Sequence, residues 1–166
     1  MTPEILNELY KRKEMEDGLH RREIILMLFG VVLLALLILV VMASCDHEVA
    51  RANEIETIAM VIASESCGEG DLGMYMVANT IANRARMWRK TPYQVVTQKN
   101  QYYGLTAPNR KKLYANVKPY TDYLATNIMS LTDRTNGAIY FRQVSEPKFR
   151  WCKVETARYL RHIFYR

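Results

Sequence analysis

Ile55, Ile58, Ile62 and Glu65 fall at i, i+3, i+7 and i+10 within the run IETIAMVIASESCGEGDLG, residues 55–73. That spacing predicts a helix with one apolar face that ends in a carboxylate pointing at the core. Burial disfavours the ionised form of a carboxyl group, and the negative end of the helix dipole, fixed by the helix-ending Gly68 and Gly70, acts the same way. Both effects favour a protonated Glu65 near neutral pH, the state a general acid needs to protonate a leaving-group oxygen in glycoside cleavage. The competing reading is a frayed helix end at which Glu65 pairs with a nearby arginine.

A second carboxylate would be needed for hydrolysis with a separate nucleophile or base. Glu69 lies four residues on, but Gly68 and Gly70 take it off the helix, so a loop-fixing hydrogen bond to backbone is its favoured role and catalytic support the alternative. The histidines His20, His47 and His162 are scattered, no HExxH occurs and the three cysteines lack zinc spacing, so no metal is expected. Neither a Gly-rich phosphate loop nor a GxSxG elbow is present. The chemistry left is acid catalysis by one carboxylate, without a cofactor.

The elements that must position Glu65 follow in order. Asp71 is the expected N-cap of a second helix running to about residue 87, with Met74, Val77, Ala78, Ile81 and Ala85 as its core stripe. Arg84 sits at the edge of that stripe, where it could approach the site floor; a salt bridge is its expected role. Thr91 and Pro92 open a short third helix through Val96, and residues 99–110, KNQYYGLTAPNR, read as a surface loop. Residues 111–131 read as one helix bent at Pro119 or as two short ones. A polar turn leads to a strand-like run over residues 138–142, and residues 154–164 are expected to close the domain as a last helix carrying a structural His162. Tyr140, Phe141 and Trp151 can offer flat faces to pyranose rings, with at least one of them expected in the core.

Glu65, Gly68, Glu69, Gly73, Val77, Ala78, Ile81, Asn83 and Arg84 together resemble the opening signature of the cell wall hydrolase family typified by the spore cortex-lytic enzymes (SleB type). The resemblance continues in order through TNGAIYF at residues 135–141, Trp151 and HIFY at residues 162–165, and covers roughly residues 54–166. It implies a mainly α, lysozyme-like fold with a small β element, acting on the MurNAc to GlcNAc β-1,4 bond of peptidoglycan, with Glu65 catalytic. It also implies a glycan cleft edged by a glutamine-plus-aromatic loop, which makes Gln101 and Tyr102, with Tyr140 and Trp151, the candidate sugar contacts. Tyr103 and Gly104 depart from the family's pattern. With no second acid placed, the expected reaction is lytic transglycosylation; the alternatives are a muramidase or glucosaminidase hydrolase, or a membrane-tethered glycan-binding or assembly protein without turnover.

Residues 24–43, IILMLFGVVLLALLILVVMA, contain no charge and span about 30 Å as a helix, the thickness of a bilayer's hydrocarbon core. The expected organisation is a cytoplasmic leader over residues 1–23, a transmembrane helix over 24–44, a short polar linker over 45–53 and a lysozyme-like domain over 54–166. Lys11, Arg12, Lys13, Arg21 and Arg22 precede the span and only Arg51 follows closely, so the expected topology is single-pass in the cytoplasmic membrane, with the N-terminus cytoplasmic and the domain extracytoplasmic. Cys45 ends the span in a context similar to a lipoprotein signal, the minority alternative to a retained anchor.

Cys67 and Cys152 would then face an oxidising compartment, where a bridge between them and two free thiols are both open. The chain carries 23 basic and 17 acidic residues, and the excess lies after the span, with 18 against 11 over residues 46–166. That balance suits an acidic wall polymer such as peptidoglycan; nucleic acid, rarely met by an exported domain, is not expected.

Overall fold

The computed structural model describes residues 3–66, 68–148, 150–151 and 154–166 and divides into two units, Met1–Val49 and Ala50–Arg166. Its first helix, α1 (Pro3–Glu65), begins in one unit and ends in the other. Within the first unit every described side chain is exposed, from Ile5 through Leu26, Phe29 and Leu39 to Val49. An apolar surface exposed all round a helix suits lipid as its solvent. Among the described residues this is the one helix long and apolar enough to cross a membrane by length and composition. Residues 46–53, expected as a connector, are helical as part of α1.

The second unit is built on the last turns of α1, where Ile58 and Ile62 are buried as the helical spacing predicts, Val61 is buried beside them, and Ile55 is half-buried. They pack with α2 (Gly70–Trp88) through Val77, Ala78 and Ile81, with α3 (Pro92–Val96), and with α4 (Arg110–Thr126) through Tyr114 and Leu124. Gly68 and Gly70, at φ of 85° and 66°, turn the chain between α1 and α2 in the left-handed region that glycine tolerates. The N-cap of α2 is Glu69, not Asp71, and makes no side-chain capping bond; Asp71 sits in the first turn, where the helix dipole favours a negative charge. At α3 the expected start is observed as a full capping box: Thr91 accepts from the Gln94 N–H and the Gln94 side chain accepts from the Thr91 N–H. Pro119 lies inside α4, which is continuous and is followed by a single 3₁₀ turn at Ile128–Ser130.

The chain ends in a three-stranded antiparallel sheet of order β1-β3-β2, with β1 (Tyr140–Gln143), β2 (Glu155–Tyr159) and β3 (His162–Tyr165). The expected last helix over residues 154–164 is therefore a β-hairpin. Leu160 occupies its turn at φ 45° with its side chain exposed, whereas a helix would have placed it beside Ile163 and Phe164. Pairing decides the matter, because β3 bonds to strands on both sides and buries all four of its residues. Phe141 pairs with Phe164 across the sheet, and Phe164 packs on Met76 of α2.

Candidate active site

Glu65 is the last residue of α1, so its position is set by the packing of Ile62 and Ile58, one and two turns earlier. The side chain is half-buried, and Oε1 accepts a hydrogen bond from the backbone N–H of Gly104 at 2.5 Å. Burial pushes the Glu65 carboxyl above its ordinary range; the Gly104 bond and the Arg84 charge pull it down, and the Glu146 charge pushes it further up. Gly104 belongs to the 3₁₀ turn Tyr103–Leu105 and must be glycine here. A Cβ at that position would lie 2.9 Å from the Ser64 Cβ and 3.1 Å from the Glu65 Oε1.

Glu69 is wholly buried and turned into another cluster. Its Oε1 accepts from the Arg161 Nε at 3.0 Å and its Oε2 from the Arg161 N–H at 3.2 Å, while the His162 Nδ1 lies 3.7 Å away. A Cβ at Gly73 would collide with the Glu69 side chain, so that glycine lets α2 start over it. Glu69 thus ties the α1 to α2 turn to the β2–β3 hairpin. His162 is buried edge-on against Phe141 and Phe164, and burial holds its imidazole below the ordinary range.

Arg84 makes no ion pair among the described residues, against the salt bridge expected of it. It is buried at 5% exposure, donates from Nε to the Ile139 carbonyl, and lies over the rings of Trp88, Tyr102 and Tyr140 at 5.4, 5.0 and 5.1 Å. The carbonyl it meets is placed by α2 itself. Asn79 accepts from the Arg134 N–H and Asn83 donates to the Ala138 carbonyl, while Asp133 accepts from the Thr135 and Gly137 N–H groups. This network fixes the turn that feeds β1.

Arg84 and Trp88 of α2, Asn100 and Gln101 of the loop, and Tyr140, Phe141 and Trp151 surround a cleft of about 440 Å³. Of the four expected sugar contacts, Gln101, Tyr140 and Trp151 come together there, with Tyr140 and Trp151 edge-to-face at 4.4 Å. Tyr102 is buried instead against Phe141 and Arg84, and its hydroxyl, pushed up to about 12 chiefly by burial, has no hydrogen-bond partner of good geometry. It borders a neighbouring pocket of about 350 Å³ with Tyr103 and Thr106. Phe141 packs on the core while also facing the cleft. Cys67 and Cys152 lie outside the described residues, and with them the bridge between the two; Cys45 is free and exposed. No group of acids, histidines and cysteines able to hold a metal occurs among the described residues.

Sequence reasoning missed Gly104, Trp88 and Glu146. Gly104 carried a signal, as a glycine inside an aromatic loop; the other two carried none.

In three dimensions the chain is similar to the catalytic domain of the germination-specific lytic transglycosylase SleB from Bacillus anthracis, with a TM-score of 0.56 at 23% identity over 69% of this chain and 94% of that one. It is also similar to the catalytic domain of the Bacillus cereus SleB protein, with a TM-score of 0.58 at 21% identity over 69% and 91%. At such identities the likeness is one of fold. No curated protein matches the sequence. The sequence family described as Cell Wall Hydrolase matches residues 68–165, from three residues after Glu65 to the end of β3. That match spans more than half of the chain, and with the shared fold it shows that this protein belongs to the cell wall hydrolase family of peptidoglycan-cleaving enzymes.

Proposed function

We propose that this protein is a membrane-anchored lytic transglycosylase that cleaves the MurNAc to GlcNAc β-1,4 bond of peptidoglycan with Glu65 as both acid and base. The observation that carries the reading is the half-buried Glu65 carboxyl, pushed up by burial and aimed by the Gly104 N–H, in a site where Glu69 is committed to Arg161. Protonated Glu65 donates to the bridging oxygen as the bond to C1 of the muramyl residue breaks. Its carboxylate then takes the proton of the muramyl 6-hydroxyl, whose oxygen closes on C1 to give the 1,6-anhydro sugar. Gln101, Tyr140 and Trp151 would hold the strand in the cleft through amide bonds and ring faces. The exposed apolar helix supports a single-pass anchor, and the excess of Lys and Arg before it a cytoplasmic N-terminus with the enzyme outside.

Hydrolysis is the second reading; the second acid it needs would be Glu146, whose charge acts on Glu65 and whose Oε2 accepts from the Gln143 N–H. Mass spectrometry of muropeptides released from purified sacculi separates the two. Anhydro ends support transglycosylation; reducing ends overturn it in favour of hydrolysis.

A further inference from the structure

Arg84 is a buried cation with one donor, Nη1, that makes no hydrogen bond of good geometry among the described residues. A guanidinium taken out of water is costly unless an anion meets it, and the rings of Trp88, Tyr102 and Tyr140 offset only part of that cost. Nε donates to the Ile139 carbonyl; Nη1 is buried and makes no hydrogen bond of good geometry among the described residues, the Tyr102 hydroxyl being the group that lies close enough to interact with the guanidinium. A buried donor in that state marks a place where another group is to arrive. Arg84 also lines the cleft, together with Gln101, Tyr140 and Trp151, so the arriving group comes with the ligand that fills the cleft.

The ligand's chemistry follows from the proposed substrate, on which this inference rests. Along a glycan strand of N-acetylated sugars, the hydroxyl, ether and acetamido groups are neutral. The sole carboxyl of the strand is that of the lactyl ether on the muramyl residue, charged where the stem peptide has been removed and a neutral amide where it is attached. We propose that Arg84 is a specificity site for the free lactyl carboxylate, so that the enzyme prefers peptide-free glycan strands to peptide-bearing ones. A carboxylate neutralises the guanidinium and accepts its in-plane N–H groups, with two oxygens matched to two donors. An amide carbonyl offers one neutral oxygen in place of two charged ones and leaves the guanidinium charge unmet.

The test compares kcat/KM of the full-length protein in detergent on two forms of the same sacculi, untreated and stripped of stem peptides by an amidase. The expected result is a preference of about tenfold or more for stripped strands, the discrimination a charge-assisted hydrogen bond supplies. In Arg84→Met the ratio falls to about one; in Arg84→Lys, which keeps the charge and loses the fork, it is intermediate. Equal rates on the two forms in the native protein, or a ratio unchanged in folded Arg84→Met, would overturn the proposal. A second measurement leaves Arg84 intact: binding of N-acetylmuramic acid and of its carboxamide to the Glu65→Gln protein, followed by the fluorescence of the cleft residues Trp88 and Trp151. Tighter binding of the acid by about tenfold is expected, and equal binding contradicts the assignment. Failure to cleave either form of sacculi refutes the enzymatic reading, while the binding measurement still decides the role of Arg84.

Discussion

The backbone N–H of Gly104 donates to the Oε1 of Glu65 across 39 residues of sequence, joining the last residue of α1 to the loop that borders the cleft. A carboxyl at a helix end is otherwise free to rotate into solvent. This bond, with the close packing of Gly104 on Ser64 and Val61, holds it in one orientation.

Gly104→Ala therefore acts on stability and on catalysis together. The added methyl meets three atoms at 2.9 to 3.2 Å, all of them on α1, an overpacking that costs about 1 to 3 kcal/mol. Displacing the N–H from Glu65 is expected to lower turnover at least tenfold. A thermal melt with the initial rate on sacculi checks both.

In the proposed mechanism the protonated fraction of Glu65 sets activity on the alkaline side. Its carboxyl lies above the ordinary 4.5, so the rate should persist above that pH and fall as pH rises through the shifted value. Arg84 and the Gly104 and Tyr103 N–H groups pull the value down, while burial and Glu146 raise it. Glu146→Gln removes one raising charge and should move the alkaline limb to lower pH, as a pH profile of initial rate will reveal; a limb that moves upward would contradict this electrostatic account.

His162 predicts an acid weakness. Its imidazole sits below the ordinary 6.5 in the folded protein because burial disfavours the cation, so the unfolded chain binds the proton more readily. The stability tied to the neutral ring is fully present above pH 6.5 and is lost as pH falls from there through the folded value, the Glu69 charge opposing and the Arg161 charge reinforcing the effect. Denaturant midpoints of the native protein should fall as the pH drops below 6.5. In His162→Gln the part of that slope due to this residue should disappear.

The helical period made Glu65 and the α1, α2 and α3 framework legible, because one buried face per helix writes itself into the spacing of Ile58, Ile62, Val77 and Ile81. Thr91 and Pro92 marked the start of α3 for an equally local reason. What stayed hidden was long-range. β2 and β3 read locally as helix, and the pairing of Phe164 with Phe141 settled them as strands. The place of Arg84 depends on a carbonyl 55 residues away, and that of Glu69 on an arginine 92 residues away. No spacing rule connects such partners.

The central claim is that Glu65 carries the proton for bond cleavage, and Glu65→Gln tests it most directly. Gln keeps an oxygen to accept the Gly104 N–H and cannot donate an acidic proton, so the fold and the cleft should survive while cleavage stops. Initial rates of muropeptide release from purified sacculi should fall by about 10² to 10⁴, the range a general acid supplies, with an unchanged circular dichroism spectrum. Release by the folded variant at more than about a tenth of the native rate would contradict the account.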